Sequence, residues 1–142
     1  MSTTTNIETR VVKAPLAAVW GALKKQDFAF WSLVKSVEID SSPSTVGGTR
    51  TTTFADGTVQ KHRLLEFSEV SHSLTYEIVE SEPAVKSMSA QHTLQVIAVT
   101  ADNTAFVQWT SDYSSDGALD LVMDAKYKKL DALAELAKAL EH

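Results

Sequence analysis

Polar and apolar positions alternate along most of the chain, and the period changes once, near the end. Asn6 to Lys13 alternate weakly and are rich in β-formers (Ile7, Thr9, Val11, Val12), which predicts a first strand. Pro15, whose missing N–H costs nothing in a first helical turn, precedes Leu16, Val19, Trp20 and Leu23 at helical spacing. Phe28 to Val34 predicts a second short helix. Six strands follow, over Lys35–Asp40, Thr49–Phe54, Thr58–Phe67, Ser73–Glu80, Ser87–Val99 and Thr104–Tyr113. Ser42-Pro43-Ser44 with Gly47-Gly48, Asp56-Gly57 and Asp102-Asn103 mark turns between them. From Gly117 to Ala139 the period becomes 3.6, with Leu119, Val122, Met123, Leu130, Leu133 and Ala137 on one broad side and Asp116 placed as the cap.

This order predicts an α+β domain spanning residues 1–142: a curved seven-stranded antiparallel sheet, two short helices, and a long C-terminal helix that grips the sheet. A sheet of that width must twist and curl. One helix covers only part of its concave face, so a cavity is expected over the remainder. No internal repeat or low-complexity segment interrupts the pattern.

Charge and motifs narrow the function more than composition does. A formal charge of −5 with no Lys/Arg stripe argues against nucleic acid as a partner. Lys24-Lys25 and the group Lys126, Lys128, Lys129 lie among acids and read as solvated helix faces. The chain has no cysteine, which removes disulfides, thiolate nucleophiles and cysteine-ligated zinc. No H-x-x-x-H spacing, G-x-S-x-G elbow, G-x-G-x-x-G or phosphate loop is present, so neither metal nor cofactor is expected. No run approaches the roughly 20 apolar residues of a membrane helix. Met1 to Asn6 lack a signal-peptide core, so a cytoplasmic location without membrane insertion, and a monomer, are the default expectations. Leu140-Glu141-His142 resemble the remnant of a purification tag.

Several stretches taken in order carry a family resemblance: Ala14-Pro15-Leu16, Val19-Trp20, Phe28, Trp31, Gly47-Gly48-Thr49-Arg50, Arg63-Leu64-Leu65-Glu66 and Leu74-Thr75-Tyr76-Glu77-Ile78, then the long helix. Together they resemble the Bet v 1-like (START-like, SRPBCC) superfamily, within it the polyketide cyclase/dehydrase and lipid-transport group, including plant lachrymatory-factor synthase-like proteins. The resemblance implies a helix-grip fold with a hydrophobic cavity between sheet and helix. It implies no single function, because members carry lipids, bind hormones, cyclise polyketides or isomerise small molecules.

The resemblance and the strand alternation together nominate site residues. Gln60, His62 and Leu64 share a face that the family would turn inward. His62 stands where synthase-like relatives hold a glutamate acid or base, and histidine also moves protons near neutral pH. Arg50 stands where those relatives hold a functional arginine, suited to a carboxylate or an oxyanion. Tyr76, flanked on its face by Leu74 and Ile78, matches a family tyrosine; Met88 stands where another is common. Lys35 aligns with a lysine that meets the ligand acid in hormone receptors, whose gating loop is replaced here by Phe54-Ala55-Asp56-Gly57. Ala90 and His92 share a face with Met88, Trp109 is a large wall residue, and Met123 and Tyr127 on the last helix are placed to close the cavity.

Three readings follow. The first is binding or transport of a hydrophobic small molecule: a lipid, a polyketide or an aromatic. The second is a small cyclase, dehydratase or isomerase using His62, Arg50 and Tyr76. The third is a protein-interaction domain using the outer helix face. The first two separate on whether His62, Arg50 and Tyr76 converge within hydrogen-bond reach of one point.

Overall fold

The computed structural model describes residues 4–82, 90–113 and 119–141. Its elements are β1 (Thr4–Val12), α1 (Leu16–Leu23), β2 (Val34–Ile39), β3 (Thr49–Phe54), β4 (Val59–Ser68), β5 (Ser73–Glu82), β6 (Ala90–Val99), β7 (Thr104–Tyr113) and α2 (Leu119–Leu140). The strands form one antiparallel seven-stranded sheet in the order β1-β7-β6-β5-β4-β3-β2. β2 to β7 is the meander the alternation predicts, and β1 closes onto β7 with Ile7 opposite Thr110. The expected cap Asp116, together with Ser87 at the expected start of β6, lies outside the described residues.

The turn chemistry works locally. Gly57 adopts φ +92 between β3 and β4, the left-handed region that an L side chain resists. The Asp56 carboxylate accepts a bond from the Thr58 N–H at 2.9 Å. At the β6–β7 turn Asn103 takes φ 59, and Asp102 accepts from the Thr104 hydroxyl at 2.7 Å. The curl comes from the middle of the sheet. Register slips at Lys61/His62 and again at Leu64/Glu66 between β4 and β5. Such bulges bend a strand and increase its twist. The second one resets the alternation, so both Leu64 and Phe67 turn toward the core.

The second predicted helix does not form. Gln26 and Phe28 hold φ values of 59 and 47, which no right-handed helix accommodates, and residues 24–33 run as turns. Long-range contacts hold them so. The Trp31 indole N–H donates to Asp131 Oδ2 at 2.7 Å, and the Ser32 N–H and hydroxyl both donate to the Glu135 carboxylate, at 3.1 and 3.0 Å.

The core fills one half of the concave face. Leu64, Leu74, Leu94, Val96 and Val107 line it from the sheet. α1 contributes Val19, Trp20 and Leu23, and α2 contributes Ala132, Leu133, Leu136 and Ala137. No described helix is long and apolar enough to cross a membrane.

Candidate functional site

Along each central strand the inward residues change from apolar to polar. On β6, Val96 and Leu94 give way to His92; on β7, Val107 and Trp109 give way to Ser111 and Tyr113. On β5, Leu74 gives way to Tyr76; on β4, Leu64 gives way to His62 and Gln60. Cross-strand register sets these polar groups in a row: Arg50 opposite His62, Tyr76 opposite His92, His92 opposite Ser111. Above this row α2 does not fill the sheet, and a cavity of about 270 Å³ remains.

Its walls are largely aromatic and aliphatic: Phe28, Trp31, Val34, Phe54, Ile78 and Trp109. Phe28 stacks on Trp109 with centroids 5.7 Å apart, and Trp31 meets Phe54 edge-on at 5.9 Å. The turn segment that failed to become a helix thus supplies one wall. The floor is a stack of rings: His62 lies 5.2 Å from Tyr76, and Tyr76 lies 4.9 Å from His92, nearly parallel. Gln60, Thr52, Thr58, Ser81, Tyr113 and, from α2, Asp124, Ala125, Lys128 and Lys129 also line it.

Burial decides the charge state of the floor. His62 is pushed down to about 4, first by burial and then by the Arg50 charge. His92 is pushed down to about 3, first by burial and then by Lys129 and His62. Burial raises Tyr76 above the ordinary phenol value. The Trp109 indole N–H lies near enough to oppose that rise but lacks hydrogen-bond geometry, since its Nε1 has no partner among the described residues. All three floor groups are therefore neutral at pH 7. Two hydrogen bonds fix the imidazoles: His62 Nε2 with Gln60 Oε1 at 3.2 Å, and His92 Nδ1 with Ser111 Oγ at 2.6 Å.

Arg50 is buried, at 3% exposure, and its Nε and Nη2 find no hydrogen-bond partner among the described residues. It pairs across the sheet with His62, yet it is not among the residues lining the cavity. Arginine keeps its proton in proteins. Arg50 therefore acts on the cavity through its field, as its effect on His62 shows. His62, Tyr76 and Arg50 are neighbours on adjacent strands, but no hydrogen bond joins any two of them among the described residues.

Of the other nominated residues, Gln60, Ile78 and Trp109 line the cavity. Leu64 does not; it is fully buried in the core half. Lys35 is exposed on edge strand β2, where a bulge between Val34 and Ser36 turns Val34 inward instead. Tyr127 faces away, at 61% exposure, and Met123, partly buried, is absent from the lining. Met88 lies outside the described residues, as does the side chain of Ala90.

Lys129 reverses an expectation. Read from the sequence as solvated, it is 3% exposed and lines the cavity. The signal that places it is helical phase: Ala125, Lys129, Ala132 and Leu136 follow one another at steps of four, three and four, a single stripe. That stripe seals the core with Ala132 and Leu136 and presents Lys129 one turn earlier.

The chain compares with known proteins as follows. A family model for polyketide cyclase / dehydrase and lipid transport matches residues 4–141. A solved structure of a protein from Nitrosospira multiformis superposes with a TM-score of 0.85 at 25% identity, covering 96% of each chain. The crystal structure of Ara h 8.0201, a Bet v 1 homologue, superposes with a TM-score of 0.79 at 15% identity over 98% of each chain, a likeness of fold alone. No curated protein matches the chain. The Bet v 1-like architecture anticipated from the sequence is the one these matches show.

Proposed function

Since the chain belongs to the polyketide cyclase / dehydrase and lipid transport family over residues 4–141, we propose that it binds a small, mostly apolar molecule of one or two aromatic rings between the sheet and α2. The observation that carries this reading is the cavity itself, about 270 Å³ and walled by Phe28, Trp31, Phe54, Ile78 and Trp109. An apolar cavity of about 150 Å³ holds benzene, and sites for drug-sized ligands begin near 300 Å³. A bicyclic aromatic suits that interval better than a long acyl chain. Burying roughly 200 Å² of such a ligand contributes about 5 kcal/mol before association costs.

Binding is favoured over proton transfer by His62, Arg50 and Tyr76 because of the state of the floor. An enzyme that moves protons at pH 7 wants a group titrating near 7. His62 and His92 sit near 4 and 3, and among the described residues no hydrogen bond links His62, Tyr76 and Arg50.

The test is a thermal-shift titration with 2-naphthamide, a neutral bicyclic, beside palmitate. At 100 times its Kd a ligand adds about 2.7 kcal/mol, which for a chain of this size raises Tm by roughly 5–10 °C. Saturable stabilisation by the naphthamide, abolished by filling the cavity with I78F, is the expected result. Equal stabilisation of wild type and I78F places binding elsewhere and overturns the reading.

A further inference from the structure

Every buried charged side chain among the described residues is a cation. The two are Arg50 and Lys129, each 3% exposed, and no aspartate or glutamate is buried with them. Among the described residues neither takes part in an ion pair; the pairs there are Lys24–Glu69, Arg63–Glu77 and Lys128–Asp124. The last of these already spends Asp124, the one carboxylate lining the cavity among the described residues, on Lys128 at 3.0 Å.

Lys129 stands on the cavity wall. Its Nζ donates to the side-chain oxygen of Asn6 on β1 at 2.9 Å. Asn6 in turn donates from Nδ2 to Glu8 Oε1 at 3.1 Å. A neutral amide is thus inserted between the ammonium and the nearest acid on β1. From β6, His92 faces it without charge; from β7, the Tyr113 hydroxyl is buried with no partner among the described residues. Trp109 Nε1, also buried, is a second donor in the wall without a partner among the described residues. The group is rich in donors and positive charge, and no buried carboxylate among the described residues balances it.

Burying a cation without an anion costs several kcal/mol, which an arriving counter-charge recovers in part. Burial lowers the Lys129 pKa to about 8, against a weaker upward pull from Glu8, the signature of an ammonium that lacks a counter-ion. A chain that only needed to close its core would place alanine or leucine here, as the same stripe does at Ala132 and Leu136.

We propose that Lys129 is an anion-anchoring residue, and that the ligand is an aromatic acid whose carboxylate or phenolate oxygen pairs with Lys129 while its rings occupy the cavity. Arg50 supplements the attraction from behind His62. This names the ligand class of the cavity proposed above and rests on that reading.

The experiment compares 2-naphthoate with 2-naphthamide, which match in shape and differ in charge, by calorimetric titration. Naphthoate is expected to bind at least tenfold more tightly. K129M is expected to bring the two within about twofold by weakening naphthoate far more than naphthamide, and to raise the Tm of the free protein because an uncompensated charge is gone. A measurement on the unmodified chain needs no variant to fold. At pH 8 naphthoate should draw roughly half a proton onto the protein, because Lys129 titrates near 8, and naphthamide none. Proton uptake is read from the dependence of binding heat on buffer ionisation enthalpy. Equal affinity for acid and amide, or naphthoate binding without proton uptake and untouched by K129M, overturns this inference and leaves the cavity reading standing. No binding of either compound overturns both.

Discussion

Two neutral imidazoles buried on either side of Tyr76 make the stability of this fold depend on pH in a definite window. An unfolded histidine titrates at 6.5, whereas His62 and His92 in the folded chain titrate near 4 and 3. Below pH 6.5 the unfolded chain therefore takes up two protons that the folded chain refuses. Stability is fully present above 6.5 and falls as the pH falls toward 4. Each refused proton contributes a slope of about 1.4 kcal/mol per pH unit. Between pH 7.5 and 5 each histidine removes about 2 kcal/mol, or about 4 together, a large share of the 5–15 kcal/mol typical of a domain. The window stops at 5 for a reason. Asp40, Asp56 and Glu69 are held below their ordinary values by hydrogen bonds from Thr49, Thr58 and Trp20, and their protonation adds to the loss at more acid pH.

The assay is urea unfolding followed by the fluorescence of Trp20, Trp31 and Trp109, all buried in the folded chain, at half-unit steps from pH 7.5 to 5. H62Q and H92Q should each lower stability at pH 7.5, through lost packing and a hydrogen bond. The decisive quantity is the slope against pH, which each variant should reduce by about one proton equivalent. A wild-type slope under about half a proton between pH 6 and 5, or a slope that neither substitution changes, would refute the placement of neutral imidazoles in the floor.

Two further outcomes follow from the contacts around α2. D131A removes the acceptor of the Trp31 indole, and E135A removes both bonds to Ser32. Each should cost about 1–2 kcal/mol in urea unfolding, and both should speed 2-naphthamide release in stopped-flow, because Trp31 walls the cavity; unchanged release rates would deny the 24–33 segment a role in retention. L130P buries little less surface, since Leu130 is 38% exposed. It breaks α2 next to Lys129 at a cost of about 3 kcal/mol or more, so retained helical circular dichroism and a cooperative melt at the wild-type temperature would contradict the role given to α2.

The strands were legible because period-two alternation and turn residues are local signals, and Asp56-Gly57 and Asp102-Asn103 sit where the chain reverses. What was illegible depended on distant partners. Phe28 to Val34 look helical by composition, yet Asp131 and Glu135, some hundred positions later, hold Trp31 and Ser32 in turns. Alternation carried Gln60 and His62 to the cavity but not Leu64, because the polar half of the strand ends before it. Lys35 failed for a bulge that no residue announces. Lys129 was hidden by its neighbours: Lys126 and Lys128 suggested a solvated face, although the phase shared with Ala132 and Leu136 was present in the sequence all along.

The division of the concave face explains why a fold of this kind can keep a cavity open without collapsing onto it. Where α2 carries Ala132, Leu133, Leu136 and Ala137, it lies against Leu94, Val96 and Val107 and the core closes. One turn earlier the stripe carries Ala125 and Lys129, and collapse there would press an ammonium onto neutral His92 and Tyr76 with no acid to receive it. The desolvation penalty of Lys129 therefore opposes filling the space with side chains, while Phe28, Trp31 and Trp109 brace one another as a rigid wall. An aromatic acid relieves both constraints at once, offering rings to the wall and an oxygen to the lysine. The polar groups that reduce the stability of the empty protein are, on this reasoning, the same groups that select its ligand.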